Sequence, residues 1–275
     1  MQSLVNNFEM AYEVRGQGLP LLLVHGFPLN KELWEPQLTA LQDIATVIAP
    51  DLRGHGASEP VPGEYSMDLL ADDCHALLEN LGIEEPAVVC GLSMGGYIAL
   101  AYYRRYPERL AGLILAATRA GPDSPEARAN RDKMAARAEE KGAGAIAEDM
   151  LPKMLSPETY TGTPELVARV RQIMAGTSVP GIRGALLGMK ARRDATPLLA
   201  GIDVPTLVLH GEDDQLIPVE EAQAMHAAIP NSRLEVLPGA GHLLNLERPH
   251  AFNRAVRRFL GSLSGQASAV SHQGR

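Results

Sequence analysis

The fold is decided by the stretch AVVCGLSMGGYIALAYYRRYP, which occupies residues 87–107. Its first part, Ala87–Gly91, is an apolar run that predicts a buried strand of a parallel sheet. Its last part, Met94–Tyr106, has the pattern of a helix. Between them, Gly91–Gly95 has the GxSxG pattern of a sharp strand-to-helix turn, in which the central residue, Ser93, stands clear of the sheet. The N–H groups of the following helix favour negative charge beside that serine.

On both sides of this stretch, short apolar runs alternate with helical patterns. This alternation predicts an α/β fold with a mostly parallel, doubly wound sheet. The more polar segment Leu4–Arg15 predicts an antiparallel hairpin or edge strand. The other strands are predicted at Leu19–Gly26, Ala45–Asp51, Leu110–Ala116, Thr206–Gly211 and Arg233–Gly239. The helices between and after them are predicted at Leu29–Leu41, Ser66–Leu81, Val219–Ile229 and Pro249–Leu263.

The spacing of the strands predicts an insertion after the sixth strand. The strands that begin at Leu110 and Thr206 start 96 residues apart, far more than one crossover helix needs. We therefore predict a core domain of residues 1–118 and 198–262, a helical cap or lid at 119–197, and a disordered tail at 263–275. The cap helices are predicted at Ser124–Lys141, Ala145–Met154, Pro164–Ala175 and Pro180–Ala191.

Composition excludes several classes of function. The chain has 275 residues, 25 basic against 33 acidic side chains and a net charge of −8. No block of lysine and arginine stands out, which argues against nucleic acid as a partner and against polyanionic substrates. Two cysteines are too few for a disulfide framework, and no signal peptide or membrane-length apolar run is present. We expect a reduced, cytoplasmic protein that binds no membrane; its oligomeric state stays open.

A serine hydroxyl needs a base and an orienting carboxylate before it acts as a nucleophile. Among eight histidines, His242 is the strongest candidate base, because it lies in the loop after the last predicted strand, at the same edge of the sheet as Ser93. Three adjacent acids, Glu212, Asp213 and Asp214, follow the strand Thr206–Gly211 at that edge. The residues alone leave the choice among the three acids open.

The chain resembles the α/β-hydrolase superfamily over about residues 4–262. The order Ser93, Asp214, His242 is the order of that superfamily's catalytic triad, and the resemblance selects Asp214 from the three acids. Within the superfamily, the chain is similar to 3-oxoadipate enol-lactonase-like hydrolases and small carboxylesterases. Serine at position 93 argues against the haloalkane dehalogenase and epoxide hydrolase branches, which have aspartate there. The resemblance rests on five stretches: His25–Pro28, Asp51–Ser58, Gly91–Gly95, Gly211–Pro218 and Gly239–His242.

The resemblance implies a serine hydrolase that cleaves small to medium carboxylic esters or lactones through an acyl-enzyme. Ser93 would attack the acyl carbon, His242 would move the proton and Asp214 would hold the imidazole. The backbone N–H groups of Phe27 and Met94 would form the oxyanion hole. No cofactor and no metal are expected, since the sequence holds no cluster with metal-ligand spacing.

The sequence says less about the walls of the substrate pocket than about the triad. Candidate pocket residues are His25, Trp34, Met134, Met154 and Met189, although each methionine is equally well explained as core filling of the cap. The negative net charge favours neutral, apolar substrates. A cation for a substrate carboxylate could still come from one of six cap residues: Arg119, Arg128, Arg131, Lys190, Arg192 and Arg193.

Two other classes of function stay open. The same triad serves C–C bond hydrolases and cofactor-free perhydrolases or haloperoxidases, and the fold also serves non-catalytic ligand receptors. A complete set of catalytic parts argues against a receptor, because a binding module has no need to keep each of them.

Overall fold

A computed structural model of the protein describes the backbone of residues 1–272 and the side chains of residues 1–263. Its centre is an eight-stranded sheet in the order β1-β2-β4-β3-β5-β6-β7-β8. The strands are β1 (Gln2–Val5), β2 (Phe8–Arg15), β3 (Leu19–Val24), β4 (Ala45–Pro50), β5 (Ala87–Leu92), β6 (Leu110–Ala116), β7 (Thr206–Gly211) and β8 (Ser232–Leu237).

Strand pairing confirms the predicted mostly parallel sheet. β3 to β8 pair in parallel, whereas β1 pairs with β2, and β2 with β4, in antiparallel register. The polar N-terminal segment is therefore the predicted hairpin at one edge of the sheet. In the centre, Leu22 of β3 lies opposite Val89 of β5. All parallel strands point the same way, so the loops that follow them meet along one edge.

Helices cover both faces of the sheet, which explains why the central strands are apolar throughout. Neighbouring residues of β3 alternate between the two cores: Leu22 packs with α2 and α3, and Leu23 packs with α1 and α11. The helices outside the insertion are α1 (Glu35–Leu41), α2 (Met67–Asn80), α3 (Met94–Arg105), α9 (Val219–Ala228), α10 (Leu244–Glu247) and α11 (Pro249–His272).

Five helices, instead of the four predicted, lie between β6 and β7. The additional one, α6, has six residues and begins after Ser156, whose hydroxyl accepts from the Thr159 N–H at 3.2 Å. It is too short for a periodic pattern to show in the sequence. The division of the chain at residues 118 and 198 stays a prediction. The inserted helices are α4 (Pro125–Lys141), α5 (Ala143–Met154), α6 (Pro157–Gly162), α7 (Pro164–Ala175) and α8 (Val179–Ala191).

The disordered tail expected at 263–275 stays a prediction, because nearly all of it lies outside the residues whose side chains are described. The bounds of α11 are Pro249–His272. The side chains of 264–272 and all of 273–275 lie outside the described residues. Within the described part of the chain, no helix has the length and hydropathy needed to cross a bilayer.

The inserted helix α8 is docked tightly on the segment that precedes α2. A Cβ on Gly188 would lie 1.7 Å from the carbonyl oxygen of Tyr65, and one on Gly184 would lie 2.8 Å from the Tyr65 ring. The Tyr65 N–H donates to the Gly184 carbonyl at 2.9 Å. Only glycine permits this approach, so α8 holds a fixed position over the carboxyl edge of the sheet.

We expect Gly188→Ala to lower the free energy of unfolding by roughly 1–3 kcal/mol, since the added methyl group overpacks the α8 contact. Gly144→Ala is the matched control. Position 144 lies in α5, and a methyl group added there would have no neighbouring atom within 4 Å, so alanine should raise stability by about 0.5–1 kcal/mol. Urea denaturation of both variants measures the difference, and shifts of the same sign in both would contradict the docking.

Candidate active site

Ser93 lies in a strained turn between β5 and α3. Its φ of 57° and ψ of −114° are unusual for a residue with a side chain. The turn is held by the Ser93 N–H, which donates to the Ala116 carbonyl at 2.9 Å, and by the Gly96 N–H, which donates to the Ser93 carbonyl at 2.9 Å. Such backbone strain is of order 1–3 kcal/mol and persists only where the surroundings enforce it. The sharp turn predicted from the sequence is therefore present.

Glycine is required on both sides of Ser93 by close backbone contacts. A Cβ on Gly91 would lie 2.0 Å from the Gly95 carbonyl oxygen, and a Cβ on Gly95 would lie 2.1 Å from the Val24 carbonyl oxygen. The second contact locks the start of α3 against the end of β3. The loop that follows β3 is thereby placed beside Ser93.

His242 and Asp214 form a hydrogen-bonded pair at the same edge of the sheet. His242 Nδ1 lies 2.8 Å from Asp214 Oδ2, and both side chains are about 98 % buried or more. The other carboxylate oxygen, Oδ1, accepts from the backbone N–H groups of Leu216 and Ile217 at 2.8 and 3.1 Å. A carboxylate can only accept here, so Nδ1 carries the proton and Nε2 is left as the basic nitrogen.

The electrostatics of this pair keep the carboxylate ionised. Burial acts to raise the pKa of Asp214, but the charge and hydrogen bond of His242 and the two backbone N–H groups outweigh it, and the pKa lies below its usual value. Among the described residues, the His242 ring forms no hydrogen bond other than the one to Asp214. Nε2 is therefore free to accept a proton from a nucleophile.

The structure brings Asp214, and neither of its two neighbours, to His242. Asp213 is exposed, and the Glu212 carboxylate accepts from the Gly239 N–H at 3.3 Å at the surface. A further carboxylate, Glu247, was missed by sequence reasoning: its two oxygens accept from the Gly241 N–H at 2.9 Å and the Ser156 N–H at 2.8 Å. Glu247 thus ties the histidine loop to the start of α6.

Phe27 and Met94, the predicted sources of two backbone N–H groups, flank Ser93 from separate elements. Met94 is the first residue of α3, so its N–H has no partner within the helix. Within the described residues, the Phe27 N–H donates to no protein acceptor. A Cβ on Gly26 would lie 3.1 Å from the Ser93 Cβ, which shows how closely this loop approaches the serine.

A cavity of about 410 Å³ opens at this site and is lined by both Ser93 and His242. Of the predicted pocket residues, Met134 and Met189 lie in its wall. Sequence reasoning missed two other lining residues, Tyr97 of α3 and Met150 of α5. The lining residues are Phe27, Ser93, Tyr97, Arg119, Asp123, Ala127, Asn130, Arg131, Met134, Asp149, Met150, Lys153, Met189, Leu216, Ile217 and His242.

His25, predicted as a pocket residue, instead tethers two loops. Its Nε2 accepts from the Leu52 N–H at 3.0 Å, so the ring must carry its proton on Nδ1, which donates to the Gly26 carbonyl at 2.9 Å. Both ring nitrogens are therefore used. His25 holds the loop of Phe27 in place but does not reach the cavity wall.

Trp34 and Met154, also predicted as pocket residues, are core residues. Both are fully buried in the hydrophobic cluster on the α1 and α11 face of the sheet. The Trp34 ring lies 6.1 Å from that of Phe252. Neither side chain lines the cavity, because each is packed within that hydrophobic cluster.

One end of the cavity is basic, in contrast to the chain as a whole. The buried carboxylate of Asp123 contacts three arginines: Arg119 at 2.9 Å, Arg131 at 2.5 Å and Arg192 at 2.6 Å. Burial acts to raise the pKa of Asp123, but Arg131 and Arg192 lower it to about 2. Of the six cationic candidates, only Arg119 and Arg131 line this cavity.

Lys153 adds a further cation to the wall of the same cavity. Its side chain is exposed at the cavity wall, and within the described residues it forms no ion pair. The lining acids are Asp123, which is shared by three guanidinium groups, and Asp149, which pairs with Arg137. The lining therefore carries three cations, Arg119, Arg131 and Lys153, against two carboxylates.

Two features of the described residues concern metal and thiol chemistry near Ser93. No group of three histidine, cysteine, aspartate or glutamate side chains within them converges as a metal site. Cys90, next to the turn, is fully buried, and burial raises the pKa of its thiol, which keeps it protonated.

Comparison with known proteins places these features in a family. The family model for the α/β hydrolase fold matches residues 20–249. The chain is 34 % identical over 236 residues to 3-oxoadipate enol-lactonase 2 of Acinetobacter baylyi, covering 86 % of each chain. It is 30 % identical to a non-heme chloroperoxidase of Kitasatospora aureofaciens, with 92 % and 96 % covered. A malate-bound thermophilic esterase of Thermogutta terrifontis superposes with a TM-score of 0.93 at 44 % identity, covering 96 % and 98 %.

The buried histidines beside the site predict acid sensitivity of the fold. Burial lowers the pKa of His25 to about 4, and burial together with the charge of His25 lowers that of His55 to about 3. In the unfolded chain a histidine takes up a proton below about pH 6.5. The unfolded state then binds more protons than the folded one, so stability present above pH 6.5 is lost as the pH falls towards 4.

We expect His55→Gln to flatten the dependence of unfolding free energy on pH between 6 and 4.5 by up to ~1.4 kcal/mol per pH unit, since one proton fewer is taken up on unfolding. His250→Gln, at an exposed position, is the control and should leave the slope unchanged. Chemical denaturation at several pH values measures the slopes. Parallel lines for wild type and His55→Gln would show that His55 does not titrate as a buried group.

Proposed function

The chain belongs to the α/β-hydrolase family, and within it we propose that the protein is a serine hydrolase that cleaves carboxylic esters or lactones through an acyl-enzyme on Ser93. The observation that carries the proposal is the 2.8 Å hydrogen bond between His242 Nδ1 and Asp214. It leaves His242 Nε2 free, and His242 lines the same cavity as the strained Ser93. The esterase and enol-lactonase relatives support the same reaction class.

In the first half of the reaction, the Ser93 hydroxyl oxygen attacks the acyl carbon of the ester while His242 Nε2 takes its proton. Asp214 keeps Nδ1 protonated and stabilises the imidazolium that forms. The tetrahedral intermediate then expels the alkoxide, which receives the proton from Nε2 and leaves as an alcohol. In a lactone the alcohol stays attached to the acyl group.

In the second half, His242 Nε2 takes a proton from a water molecule, whose oxygen attacks the acyl carbon of the acyl-enzyme. Collapse of the second intermediate releases the carboxylic acid and returns the proton to the Ser93 oxygen. The N–H groups of Phe27 and Met94 have no partner among the described residues, so they are suited to hold the oxyanion in both halves. One such donor is typically worth about 3–4 kcal/mol in the transition state.

We infer that the favoured substrates carry a carboxylate besides the ester or lactone group. The cationic lining of the cavity supports this inference, since Arg119, Arg131 and Lys153 outnumber the two lining carboxylates, Asp123 and Asp149. Asp149 is paired with Arg137, which lies outside the lining. The negative net charge, from which neutral substrates were expected, is a property of the whole chain. The lining of this cavity has the opposite sign. The malate in the esterase from Thermogutta terrifontis is an anion of the same chemical class.

Perhydrolysis is a second candidate, supported by the chloroperoxidase relative. It uses the same acyl-enzyme, but hydrogen peroxide replaces water as the second nucleophile and the product is a peracid. Formation of peracid from acetate and peroxide, measured beside ester hydrolysis, decides between the two activities.

We expect Ser93→Ala to lower kcat/KM for 4-nitrophenyl butyrate by at least about 10⁴-fold, because the nucleophile is lost while the fold is kept. Ser262→Ala, on α11 outside the cavity, is the control and should retain full activity. Initial rates with far-UV circular dichroism on the same samples measure both properties. Turnover that persists in purified Ser93→Ala would refute the acyl-enzyme proposal.

We expect Lys153→Gln to lower kcat/KM about tenfold, or ~1.4 kcal/mol, for mono-4-nitrophenyl glutarate and to leave 4-nitrophenyl pentanoate unchanged. The reason is that only the first ester presents a carboxylate to the basic end of the cavity. Lys133→Gln removes an equally exposed lysine outside the cavity and should change neither rate. Equal losses for the two esters in Lys153→Gln would remove the carboxylate preference and leave general ester hydrolysis standing.

A further inference from the structure

A second cavity, of about 220 Å³, adjoins the catalytic one and is not used by the mechanism above. It lies between the helices that flank the sheet, α2 and α3, and the inserted helix α8. Tyr97 and Arg119 line both cavities. Neither Ser93 nor His242 lines it. Its lining residues are Ser66, Met67, Asp68, Tyr97, Leu100, Ala101, Arg104, Arg119, Ala120, Gly188, Ala191, Arg192, Arg193 and Ala195.

The second cavity is strongly basic. Four arginines line it against a single carboxylate, Asp68, which pairs with Arg104. Arg193 is exposed and, within the described residues, forms no ion pair or hydrogen bond. The charge of Asp123, which lies outside this lining, is shared by three guanidinium groups. The positive charge of the lining is therefore not balanced by its carboxylate, and an anionic ligand would neutralise it.

Two buried donors in the wall have no acceptor among the described residues. The Arg192 side chain is only 3 % exposed; its Nη atoms donate to Asp123 at 2.6 Å and to the Gly121 carbonyl at 2.8 Å, but its Nε has no partner. Arg119 Nε is buried without a partner as well. Because both Nε atoms are buried in the wall, they add positive charge beside the cavity that no carboxylate of its lining offsets directly.

The position of Arg192 is fixed before any ligand arrives. Its guanidinium carbon lies 4.2 Å from the centre of the Tyr97 ring, in cation–π geometry, and its Nη1 also donates to the Met189 carbonyl at 3.0 Å. A guanidinium that is already ordered loses little conformational entropy on binding. Arg192 is thus a fixed positive charge in the cavity wall rather than a mobile surface charge.

The rest of the lining limits the size and character of the ligand. Met67, Leu100, Ala101 and Ala120 give the cavity an apolar floor. Its volume lies below the roughly 300–1,000 Å³ of sites for drug-sized ligands. A bare inorganic anion would leave the apolar floor uncovered. A small carboxylate with a short apolar body satisfies both the arginines and the floor.

We propose that this second cavity is a binding site for a small aliphatic carboxylate, separate from the catalytic cavity. Because Tyr97 and Arg119 line both cavities, a carboxylate bound here contacts the wall of the catalytic cavity and draws Arg119 away from Asp123. Such an acid is what ester hydrolysis releases, so on the proposed function the site senses product without occupying the place of substrate.

Binding of sodium hexanoate at pH 7, measured by isothermal titration calorimetry, tests the site. Arg193→Gln should weaken hexanoate at least fivefold, whereas Arg128→Gln, an exposed arginine of α4 that lines neither cavity, should change it less than twofold. Lys153→Gln alters only the catalytic cavity and should also change it less than twofold. Neutral hexanamide should bind at least tenfold more weakly.

The opposite pattern overturns the proposal. Hexanoate that is weakened by Lys153→Gln and unaffected by Arg193→Gln occupies the catalytic cavity alone, and equal losses in Arg193→Gln and Arg128→Gln indicate general charge attraction. Absence of binding up to 10 mM, roughly the weakest Kd that such a titration resolves, overturns it as well. Binding should persist in Ser93→Ala, so this result does not depend on whether Ser93 is the nucleophile.

A kinetic measurement then tests the coupling between the cavities. Saturating hexanoate should lower kcat for 4-nitrophenyl butyrate at least twofold in the wild type, an effect that competition at Ser93 cannot produce. At a hexanoate concentration equal to the wild-type Kd, the loss of kcat should be about threefold smaller in Arg193→Gln than in the wild type and unchanged in Arg128→Gln. Purely competitive inhibition in the wild type refutes the coupling. If the protein hydrolyses no ester at all, the proposed function is refuted, whereas the calorimetric result still decides whether the second cavity binds a carboxylate.

Discussion

The close approach of three backbone segments around Ser93 is the constraint on which the site depends. Gly95 lies so near the Val24 carbonyl, and Gly91 so near Gly95, that a methyl group on either glycine would overlap a backbone atom. This contact holds the strand β5, the helix α3 and the end of β3 at one fixed separation. The strained Ser93 turn and the position of the Phe27 loop follow from that separation. So do the N–H groups of Phe27 and Met94, which have no partner among the described residues.

The parts of the site that could be predicted are those fixed by connectivity. Parallel strands all end at one edge of the sheet, so a serine after β5, an acid after β7 and a histidine after β8 must come together there. The choice of Asp214 came from the resemblance, and its two bonds to the Leu216 and Ile217 N–H groups give the physical reason. The edge hairpin was equally visible, since its alternating polarity differs from the apolar central strands.

The walls of the cavity depend on how the inserted helices lie, which a local pattern does not determine. Met150 and Met154 are one turn apart on α5, yet Met150 lines the cavity and Met154 is buried in the core. Helical periodicity places both on similar faces, so the sequence pattern alone does not separate them. The role of Glu247 could not be predicted for a related reason. The N–H groups that donate to it, of Gly241 and Ser156, come together only when α6 packs beside the histidine loop.

Net charge is a poor guide to the substrate because charges act locally. Counter-ions screen exposed charges beyond about 8 Å at physiological ionic strength, so the −8 of the whole chain reaches a buried cavity weakly. What a ligand meets is Asp123 held between three guanidinium groups, two of which line each cavity. Only Arg192 of the three is nearly fully buried, and one carboxylate does not balance three guanidinium groups. On the two proposals made above, an anionic ligand in either cavity supplies the missing negative charge.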